Sequence, residues 1–380
     1  MALSACPHRP PCDACPRFGA SGVARAARAA LQDLADAHGL PQVAVHSGAQ
    51  FGFRHRARLA IRGRRGAPKI GLFEADSHRV VHIPNCRIHH PLINEVAGTV
   101  RACLAEAQLT CYSDRAHLGV ARYLQVVVER RSGTAQVVLV VNATTVEPVA
   151  AALDLIRARL GARLHSLWVN FNDQATNVIL GPRFHHHCGP PCVIEDYGGA
   201  QVHYPPGAFG QSNPEVAAQI IEHLRARIPA QSRVAEFYAG VGAIGLSLLG
   251  GVSALRLNES SPQSLEGLAR GIAQLAPSAQ GRVQVVPGSA AHSAQMTVGC
   301  EVAIVDPPRR GLDPELARFL AAEPPEQLFY VSCDLASLLQ DVTVLLACGR
   351  LRLAALTAFN LMPFTAHVET VAQFSRVKSE

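Results

Sequence analysis

From about residue 205 onward, short apolar stretches alternate with stretches of helical spacing, and this alternation limits the possible folds more than any other feature. The predicted strands are SRVAEFYAG, ALRLNES, RVQVVPG, CEVAIVDPP and EQLFYVSCD. Predicted helices lie between or before them, and in NPEVAAQIIEHLRARI Asn213 is the expected N-cap. The pattern is typical of an α/β domain with a mostly parallel sheet and helices on both faces. RLRLAALTAFN and HVETVAQFSR are expected to add an antiparallel C-terminal edge.

Residues 1–204 follow a different pattern, typical of a β-rich α+β domain. YLQVVVERRSGTAQVVLVVN predicts two strands that turn at Ser132–Gly133, and LHSLWVNFN with NVILG predicts a hairpin that turns near Asn172–Asp173. Helices are expected over 90–107 and 146–160, where apolar residues recur at helical spacing. We therefore predict one domain over residues 1–204 and a second over residues 205–380.

Composition narrows the class of protein. Hydrophobic residues make up 48% of the chain and charged residues 17%, which is globular composition. We see neither an apolar run of membrane-spanning length nor a signal peptide, so we expect a soluble, cytoplasmic protein. The net charge of +6 includes a dense basic segment at 54–69, which is either a solvated face or a surface that contacts phosphates. Without a secretory signal, the eleven cysteines favour metal binding or catalysis over disulfides.

Chemically capable residues stand at the ends of three predicted strands. Glu236 begins the glycine-rich stretch EFYAGVG, Glu259 ends the next strand 23 residues later, and Asp306 ends a third before two prolines. A glycine turn and a carboxylate on the next strand suit a ribose-bearing cofactor, although a tight turn alone would also explain the glycines. Since the glycines do not form GxGxxG and a rigid Asp-Pro-Pro loop follows, S-adenosylmethionine is favoured over a dinucleotide.

Cys333 ends the strand after Asp306 in YVSCD, at the same predicted edge of the sheet. A buried cysteine is more often a small hydrophobic residue than a nucleophile. The strand alternation, however, predicts that Asp306 and Cys333 flank one cleft. Both interpretations of the cysteine stay open on this pattern alone.

The order of five motifs resembles that of the uracil-C5 RNA methyltransferases. The motifs are GAFGQSN (207–213), EFYAGVG (236–242), IVDPPRRGL (304–312), YVSCD (330–334) and FTAHVET (364–370). The resemblance covers residues 205–380 and extends more loosely to SHRVVHIPNC in the N-terminal half. It implies that Cys333 is a nucleophile and Glu369 a general base. It also implies that S-adenosylmethionine or the target base is held by Gln211, Tyr238, Glu259 and Asp306.

This chemistry explains the residue types. Carbon 5 of uracil is a weak nucleophile, and addition of a thiolate at carbon 6 turns the ring into an enolate that can accept a methyl group. A base must then remove the carbon 5 proton. Two positions differ from the family pattern: Asp334 replaces the usual Asn and is expected to raise the pKa of Cys333, and Ala243 replaces an Asn found in several members.

The N-terminal cysteines form a second candidate site. Cys6, Cys12 and Cys15 are closely spaced and Cys86 lies far along the chain; four thiolates suit zinc or an iron–sulfur cluster, and unligated thiols are the remaining alternative. The resemblance implies a [4Fe–4S] cluster on Cys6, Cys12, Cys15 and Cys86. FHHHCGPPC at 184–192 also has metal-binding residue types, but we interpret it as an accidental histidine-rich loop.

The expected substrate is RNA with an unpaired or flipped uridine, because a thiolate cannot reach a stacked base. The β-rich half is the expected RNA-binding domain. The cysteine triplet begins at residue 6, which we expect to leave no room for a TRAM barrel, and the chain therefore resembles the iron–sulfur-containing 23S rRNA subgroup. We expect the protein to act on this RNA before or during subunit assembly, with neither a membrane nor an obligate protein partner. The alternatives are a tRNA T-loop uridine, a non-catalytic RNA-binding or chaperone protein, and a dinucleotide-dependent oxidoreductase.

Overall fold

The computed structural model describes residues 5–377. The helices, in chain order, are α1 (Arg25–Ala37), α2 (Pro91–Glu106), α3 (Ala150–Leu160), α4 (Pro214–Arg225), α5 (Gly245–Leu248), α6 (Pro262–Ala273), α7 (Pro277–Gln280), α8 (Pro314–Ala322) and α9 (Leu335–Leu346). The strands are β1 (Ala44–Ser47), β2 (Arg56–Arg64), β3 (Ala67–Phe73), β4 (Val80–His82), β5 (Ala121–Glu129), β6 (Thr134–Val141), β7 (Leu164–Phe171), β8 (Arg183–Cys188), β9 (Val193–Tyr197), β10 (Ala200–Tyr204), β11 (Arg233–Phe237), β12 (Ala254–Glu259), β13 (Val283–Pro287), β14 (Val302–Val305), β15 (Gln327–Ser332), β16 (Leu351–Asn360) and β17 (Glu369–Arg376).

The large sheet has eight strands in the order β1-β16-β17-β15-β14-β11-β12-β13. Strands β13, β12, β11, β14 and β15 are parallel, whereas β17 runs antiparallel between β15 and β16. The predicted alternation and the antiparallel pairing of the last two strands are therefore confirmed. After β11 the chain adds β12 and β13 on one side and then β14 and β15 on the other, so the strand order reverses at β11. The carboxyl ends of these parallel strands open a crevice at this topological switch point.

The fully buried sequences of the central strands explain why they form the middle of this sheet. All four residues of β14 are buried, and β15 is buried except at its first residue. Strands covered on both faces require continuous apolar runs of this kind. Asn213 caps α4 as expected, since its side chain accepts a hydrogen bond from the Val216 amide. The predicted buried strands and the predicted helix cap are therefore both present in this half of the chain.

The small sheet has seven strands in the order β4-β3-β2-β5-β6-β7-β8, antiparallel except for the parallel pair β6–β7. Helices α2 and α3 contact each other and pack on one face of this sheet. The predicted hairpin across Ser132–Gly133 is confirmed as β5–β6. The other face is partly open to solvent and carries much of the basic segment at 54–69, whose Arg56 and Arg62 are nevertheless buried.

Two expectations in the N-terminal half need correction. The strand that pairs with β7 is β8, not NVILG, because the side chain of Asn170 bonds the Gly181 amide and carbonyl and holds residues 172–182 as a loop. In addition, β1 pairs with β16, and α1 packs in the same core as β14 and β15. Hydrophobic burial places these residues on the large sheet although they precede residue 204. The division at 204 itself remains a prediction.

The hairpin β9–β10 also packs against the large sheet. Val193 and Val202 lie in one core with Ile220 of α4 and Leu268 of α6. The contact brings residues 205–213 directly over the carboxyl edge of the large sheet. Within residues 5–377, the structure contains no helix with the length and apolarity needed to span a bilayer.

Candidate active site

One cavity of about 790 Å³ lies at the carboxyl edge of the large sheet, between the large and the small sheet. All six cofactor and substrate residues expected from the sequence line this cavity: Gln211, Tyr238, Glu259, Asp306, Cys333 and Glu369. Parallel strands deliver their last residues to the same edge, which explains why separate motifs meet here. The cavity is large enough for a cofactor together with one nucleotide base.

Cys333 follows β15 and is partly exposed at the cavity wall, so it is not a sealed core residue. The pKa of its thiol is raised to about 11, chiefly by burial and then by the negative charges of Glu369 and Asp306, while the cation of Arg309 opposes the rise. Asp334 does not act in the expected way. Its side chain turns to the α9 N-terminus and accepts a hydrogen bond from the Ser337 amide at 3.0 Å, a role that Asn fills equally well.

Glu369 is the first residue of β17 and is 3% exposed. The pKa of its carboxyl is raised to about 8, chiefly by burial and then by the negative charge of Asp306, while the cation of Arg309 opposes the rise. Its Oε1 has no hydrogen-bond partner. An unpaired carboxyl oxygen at a cavity wall is energetically costly, and a carboxyl with a pKa near neutrality is suited to proton transfer.

Three carboxyl groups gather at the ends of β11, β12 and β14. Glu236 is fully buried with an unpartnered Oε2, and burial followed by the charge of Asp306 raises its pKa well above the ordinary value. Burial also raises the pKa of Asp306 to about 7. Glu259 accepts hydrogen bonds from the amides of Gly240, Ser260 and Ser261. A cluster of this kind is stabilised by a cationic ligand with hydroxyl donors, which fits S-adenosylmethionine.

The glycine-rich turn after β11 forms the floor beside these carboxyls. Tyr238 has a φ of +58°, a strained value for a bulky residue, and its hydroxyl accepts a hydrogen bond from the Asp313 amide at 3.1 Å. At Gly245 a Cβ would approach Glu236 Oε2 to 2.3 Å. The chain therefore needs glycine here so that α5 can lie against the buried carboxyl.

The segment that carries Gln211 is held from the small sheet. The buried Arg56 guanidinium donates to the Ala208 carbonyl at 3.0 Å, and the Gln125 side chain donates to the Pro206 carbonyl at 2.6 Å. Asn213 adds a third tie, because its side-chain nitrogen donates to the Leu361 carbonyl. Both sheets therefore position the cavity wall, and Phe209 at its mouth stays 66% exposed.

Comparisons with known proteins agree with this geometry. The model of the family described as tRNA (uracil-5-)-methyltransferase matches residues 294–377. The chain is 33% identical over 338 residues to an uncharacterized RNA methyltransferase of Protochlamydia amoebophila, covering 87% of this chain and 88% of that protein. A second uncharacterized RNA methyltransferase, from Geobacter sulfurreducens, is 29% identical, with 85% of this chain and 66% of the relative covered.

The chain belongs to the RNA uracil-C5 methyltransferase family, and its members are S-adenosylmethionine-dependent enzymes. The fold of this methyltransferase is similar to that of the Pyrococcus abyssi tRNA (uracil-54, C5)-methyltransferase, solved in complex with S-adenosyl-L-homocysteine. The TM-score is 0.73 at 23% identity, with 91% of this chain and 81% of the other covered.

Sequence reasoning gave no role to several side chains that line the methyltransferase cavity. Arg309 supplies the cation that opposes the raised pKa of both Cys333 and Glu369. Its place in IVDPPRRGL was the available signal, since a rigid Asp-Pro-Pro loop orients the next residue as well. Arg58, Ile179 and Met362 also line the cavity, but they come from the small sheet, a long loop and the segment before β17, and no sequence signal linked them.

The N-terminal cysteines of the methyltransferase are brought near one another without forming a complete site. The pKa of Cys15 is raised to about 11, chiefly by burial and then by the neighbouring thiols of Cys86, Cys12 and Cys6. Across residues 5–377, however, no group of three or more histidine, cysteine, aspartate or glutamate side chains is arranged to hold a metal ion. The structure therefore does not support the expected cluster. The histidine-rich segment at 184–192, which we interpreted as a loop, instead contributes most of strand β8.

Proposed function

We propose that this methyltransferase transfers a methyl group to carbon 5 of one uridine in 23S rRNA, through a temporary bond between Cys333 and the uracil ring. The observation that carries the proposal is the shared cavity of Cys333 and Glu369. The charge of Glu369 raises the pKa of Cys333, and the charge of Asp306 raises the pKa of both groups. Asp306 acts on both groups, so the two acids and the thiol form one electrostatic unit.

The proposed reaction begins with addition of the Cys333 thiolate to carbon 6. The electrons of the carbon 5–carbon 6 double bond move toward oxygen 4, and the resulting enolate attacks the methyl group that S-adenosylmethionine supplies, releasing S-adenosylhomocysteine. Ionised Glu369 then takes the proton from carbon 5, the sulfur leaves carbon 6 with its bonding electrons, and the double bond re-forms. The proton of the Cys333 thiol passes to solvent before the addition, and Glu369 releases the carbon 5 proton to solvent at the end, so no further reactant is needed.

The high pKa values of the ligand-free site fit this sequence. With a pKa of about 11 the thiol is mostly protonated at neutral pH, and so is Glu369 with a pKa of about 8. A sulfonium cation bound beside Asp306 would lower both values, because a nearby positive charge favours the ionised forms. The site is therefore expected to become reactive only when S-adenosylmethionine is bound, which limits modification of the free thiol.

The test is transfer of labelled methyl groups to RNA from cells that lack the gene. Cys333→Ala should abolish transfer and keep S-adenosylmethionine binding, whereas Cys348→Ala, at an exposed position, is the matched control. Glu369→Gln should accumulate a protein–RNA adduct that survives denaturing electrophoresis, because the proton at carbon 5 stays in place. Unchanged transfer by Cys333→Ala would refute the assigned role.

A tRNA T-loop uridine is the second candidate substrate, because the matching family model is described by tRNA and the similar solved structure acts on tRNA uracil-54. The preference for 23S rRNA comes from the resemblance of the cysteine pattern. Mapping 5-methyluridine in both RNAs, with and without the gene, separates the two. A cytoplasmic location and action before or during subunit assembly belong to the same proposal.

We further propose a [4Fe–4S] cluster on Cys6, Cys12, Cys15 and Cys86. The support is that the four thiols lie close enough to affect one another's pKa, that all are free cysteines, and that four thiolates are the usual ligands of such a cluster. Protein purified without oxygen should contain about four iron and four sulfide per chain. Cys86→Ser should lose both, zinc alone would support the alternative metal, and iron-free protein would refute the cluster.

A further inference from the structure

A second cavity, of about 880 Å³, crosses the open face of the small sheet; we call it the small-sheet groove. Strands β2, β3 and β5 form its base, and residues 74–78, 112–117 and 175–179 supply its sides. Arg58 and Ile179 line both this groove and the active-site cavity. The two spaces are therefore neighbours with a shared wall, and one strand of a polymer can occupy both.

The shared wall is the loop 172–180, which a buried arginine holds in place. Arg122 is 1% exposed and donates to the carbonyls of Asn172, Gln174 and Thr176 at 2.6, 2.8 and 3.2 Å. Its Nε has no hydrogen-bond partner. Burying a guanidinium against backbone carbonyls is costly, and here the result is a fixed loop that separates two cavities.

The opposite side of the groove is also ordered before any ligand binds. Arg62 forms two hydrogen bonds of 2.7 Å with Asp114, and its guanidinium lies 5.2 Å from the ring centre of Phe73 and 5.1 Å from that of Tyr123. Phe73 stays half-buried at the groove surface, with the exposed His78 ring 6.4 Å away. Aromatic faces that are fixed in this way suit stacking with nucleic-acid bases.

The charges of the groove favour bases over a phosphate backbone. Glu74, Asp76 and Asp114 line it alongside Arg58 and two histidines. Arg79 and Arg62 are paired with Glu74 and Asp114, which leaves little free positive charge, whereas a site that follows a duplex backbone is lined mainly by lysine and arginine. Carboxylates repel phosphates but accept hydrogen bonds from the N–H groups of unpaired bases, including N3–H of uracil. The ligand is therefore expected to present base edges and ring faces, as single-stranded RNA does.

We propose that the small-sheet groove binds unpaired nucleotides next to the target uridine, on the same RNA strand. This inference rests on the proposed function, since it assumes that a uridine enters the active-site cavity. The groove then selects RNA in which the neighbours of the uridine are unstacked together with it. Loop 172–180 separates the flipped uridine from its neighbours, and Phe73 with His78 provides the stacking surface.

The test uses fluorescein-labelled oligouridylates and fluorescence anisotropy. Phe73→Ala should weaken binding of a uridylate heptamer about tenfold, within the range measured for loss of one base–aromatic stack. Binding of a uridylate dimer, too short to occupy both cavities, should not change. His78→Ala removes an exposed ring and tests the same surface without disturbing the core, and His38→Ala, an exposed histidine at the end of α1, is the matched control.

Each outcome decides the question. Heptamer binding that both Phe73→Ala and His78→Ala leave unchanged overturns the proposal. Equal weakening of the dimer and the heptamer also overturns it, because the effect would then lie in the active-site cavity. A larger loss for a 12-base-pair RNA duplex than for the heptamer would show a backbone site instead. Failure of the proposed function would appear separately, as absent methyl transfer by the wild-type protein to any RNA.

Discussion

The carboxyl edge of the large sheet and the N-terminal cysteine segment, residues 6–18 with Cys86, are both marked by cysteines but are built differently. Cys333 directly follows β15, and the pairing of β15 with β14 and β17 fixes its position relative to Asp306 and Glu369. Cys6, Cys12 and Cys15 lie on irregular backbone without a strand or helix to orient them. The position of a cysteine next to a predicted strand can be inferred from the sequence, whereas the position of a cysteine on a loop depends on what the loop packs against.

The two regions nevertheless touch each other. The Arg17 guanidinium donates to the Thr365 carbonyl at 3.0 Å, and the Phe18 ring lies 5.0 Å from that of Phe364. Arg54, which lies beside Cys15 and Cys86, contacts the Met362 sulfur at 3.6 Å. Residues 361–368 form part of the active-site wall and lead directly into Glu369. The cysteine segment is thus positioned to order the segment that precedes Glu369.

The largest effect is expected from the sheet edge itself. Asp306→Asn removes a charge that raises the pKa of both Cys333 and Glu369, and it removes a carboxyl that we expect to bind the cofactor. Methyl transfer should fall about 100-fold, as is typical when one electrostatic group of an active site is lost. Both groups must be ionised to act, so the rising limb of rate against pH should move to lower pH. A limb that stays in place would mean that Asp306 does not influence the reacting groups.

A smaller effect is expected from the contact between the regions. Arg17→Met should lower the rate of adduct formation about tenfold, because small displacements of a reacting group are costly, and should leave S-adenosylmethionine affinity unchanged. Arg17→Lys should restore part of the rate, since it keeps a donor for the Thr365 carbonyl. Rapid-quench measurement of the adduct with RNA containing 5-fluorouridine gives the rate directly. Equal rates in Arg17→Met and the wild type would show that the two regions act independently.

The same contrast explains how much the sequence could predict. Strand–helix alternation was sufficient to predict the order of elements after residue 205 and the meeting of Glu259, Asp306 and Cys333 at one edge, because parallel strands leave little freedom. The partner of β7 could not be predicted, since Asn170 selects it through bonds to Gly181 that lie outside any periodic pattern. The pairing of β1 with β16 joins residues more than 300 positions apart and has no local signal.

Charge was harder to predict than position. Asp334 was expected to raise the pKa of Cys333 because it is the next residue, yet its carboxylate caps α9 instead. The effective neighbours are Glu369 and Asp306, which are distant in sequence. Arg56 and Arg62 similarly looked like surface charge in a basic segment, but both are buried with specific partners. Adjacency along the chain is therefore a weak guide to electrostatic contact, since side chains point away from each other at successive positions of a strand end.

The dependence of stability on pH should report the raised pKa of Glu369 at the edge of the large sheet. The pKa of Glu369 is raised to about 8, so the folded protein holds a proton that the unfolded chain has already lost above its ordinary pKa. The free energy of unfolding therefore falls as pH rises from about 4 toward 8. Glu369→Gln removes this loss and should be more stable than the wild type at pH 8, by about 4 kcal/mol, with little gain at pH 4. Chemical denaturation at both pH values measures it, and a gain that does not depend on pH would contradict the raised pKa.

The smallest effect is expected where the chain departs from its family pattern. Asp334→Asn should change the methyl transfer rate by less than about twofold and should leave the pKa of Cys333 in place, because Asn and Asp are equivalent N-caps and Asp334 points to the Ser337 amide. Asp334→Ala should instead destabilise the protein by about 1 kcal/mol through loss of the cap. Iodoacetamide alkylation of Cys333 against pH reports the thiol directly. A clear shift to lower pH in Asp334→Asn would mean that the carboxylate acts on the sulfur after all, and that adjacency outweighs the geometry of the helix start.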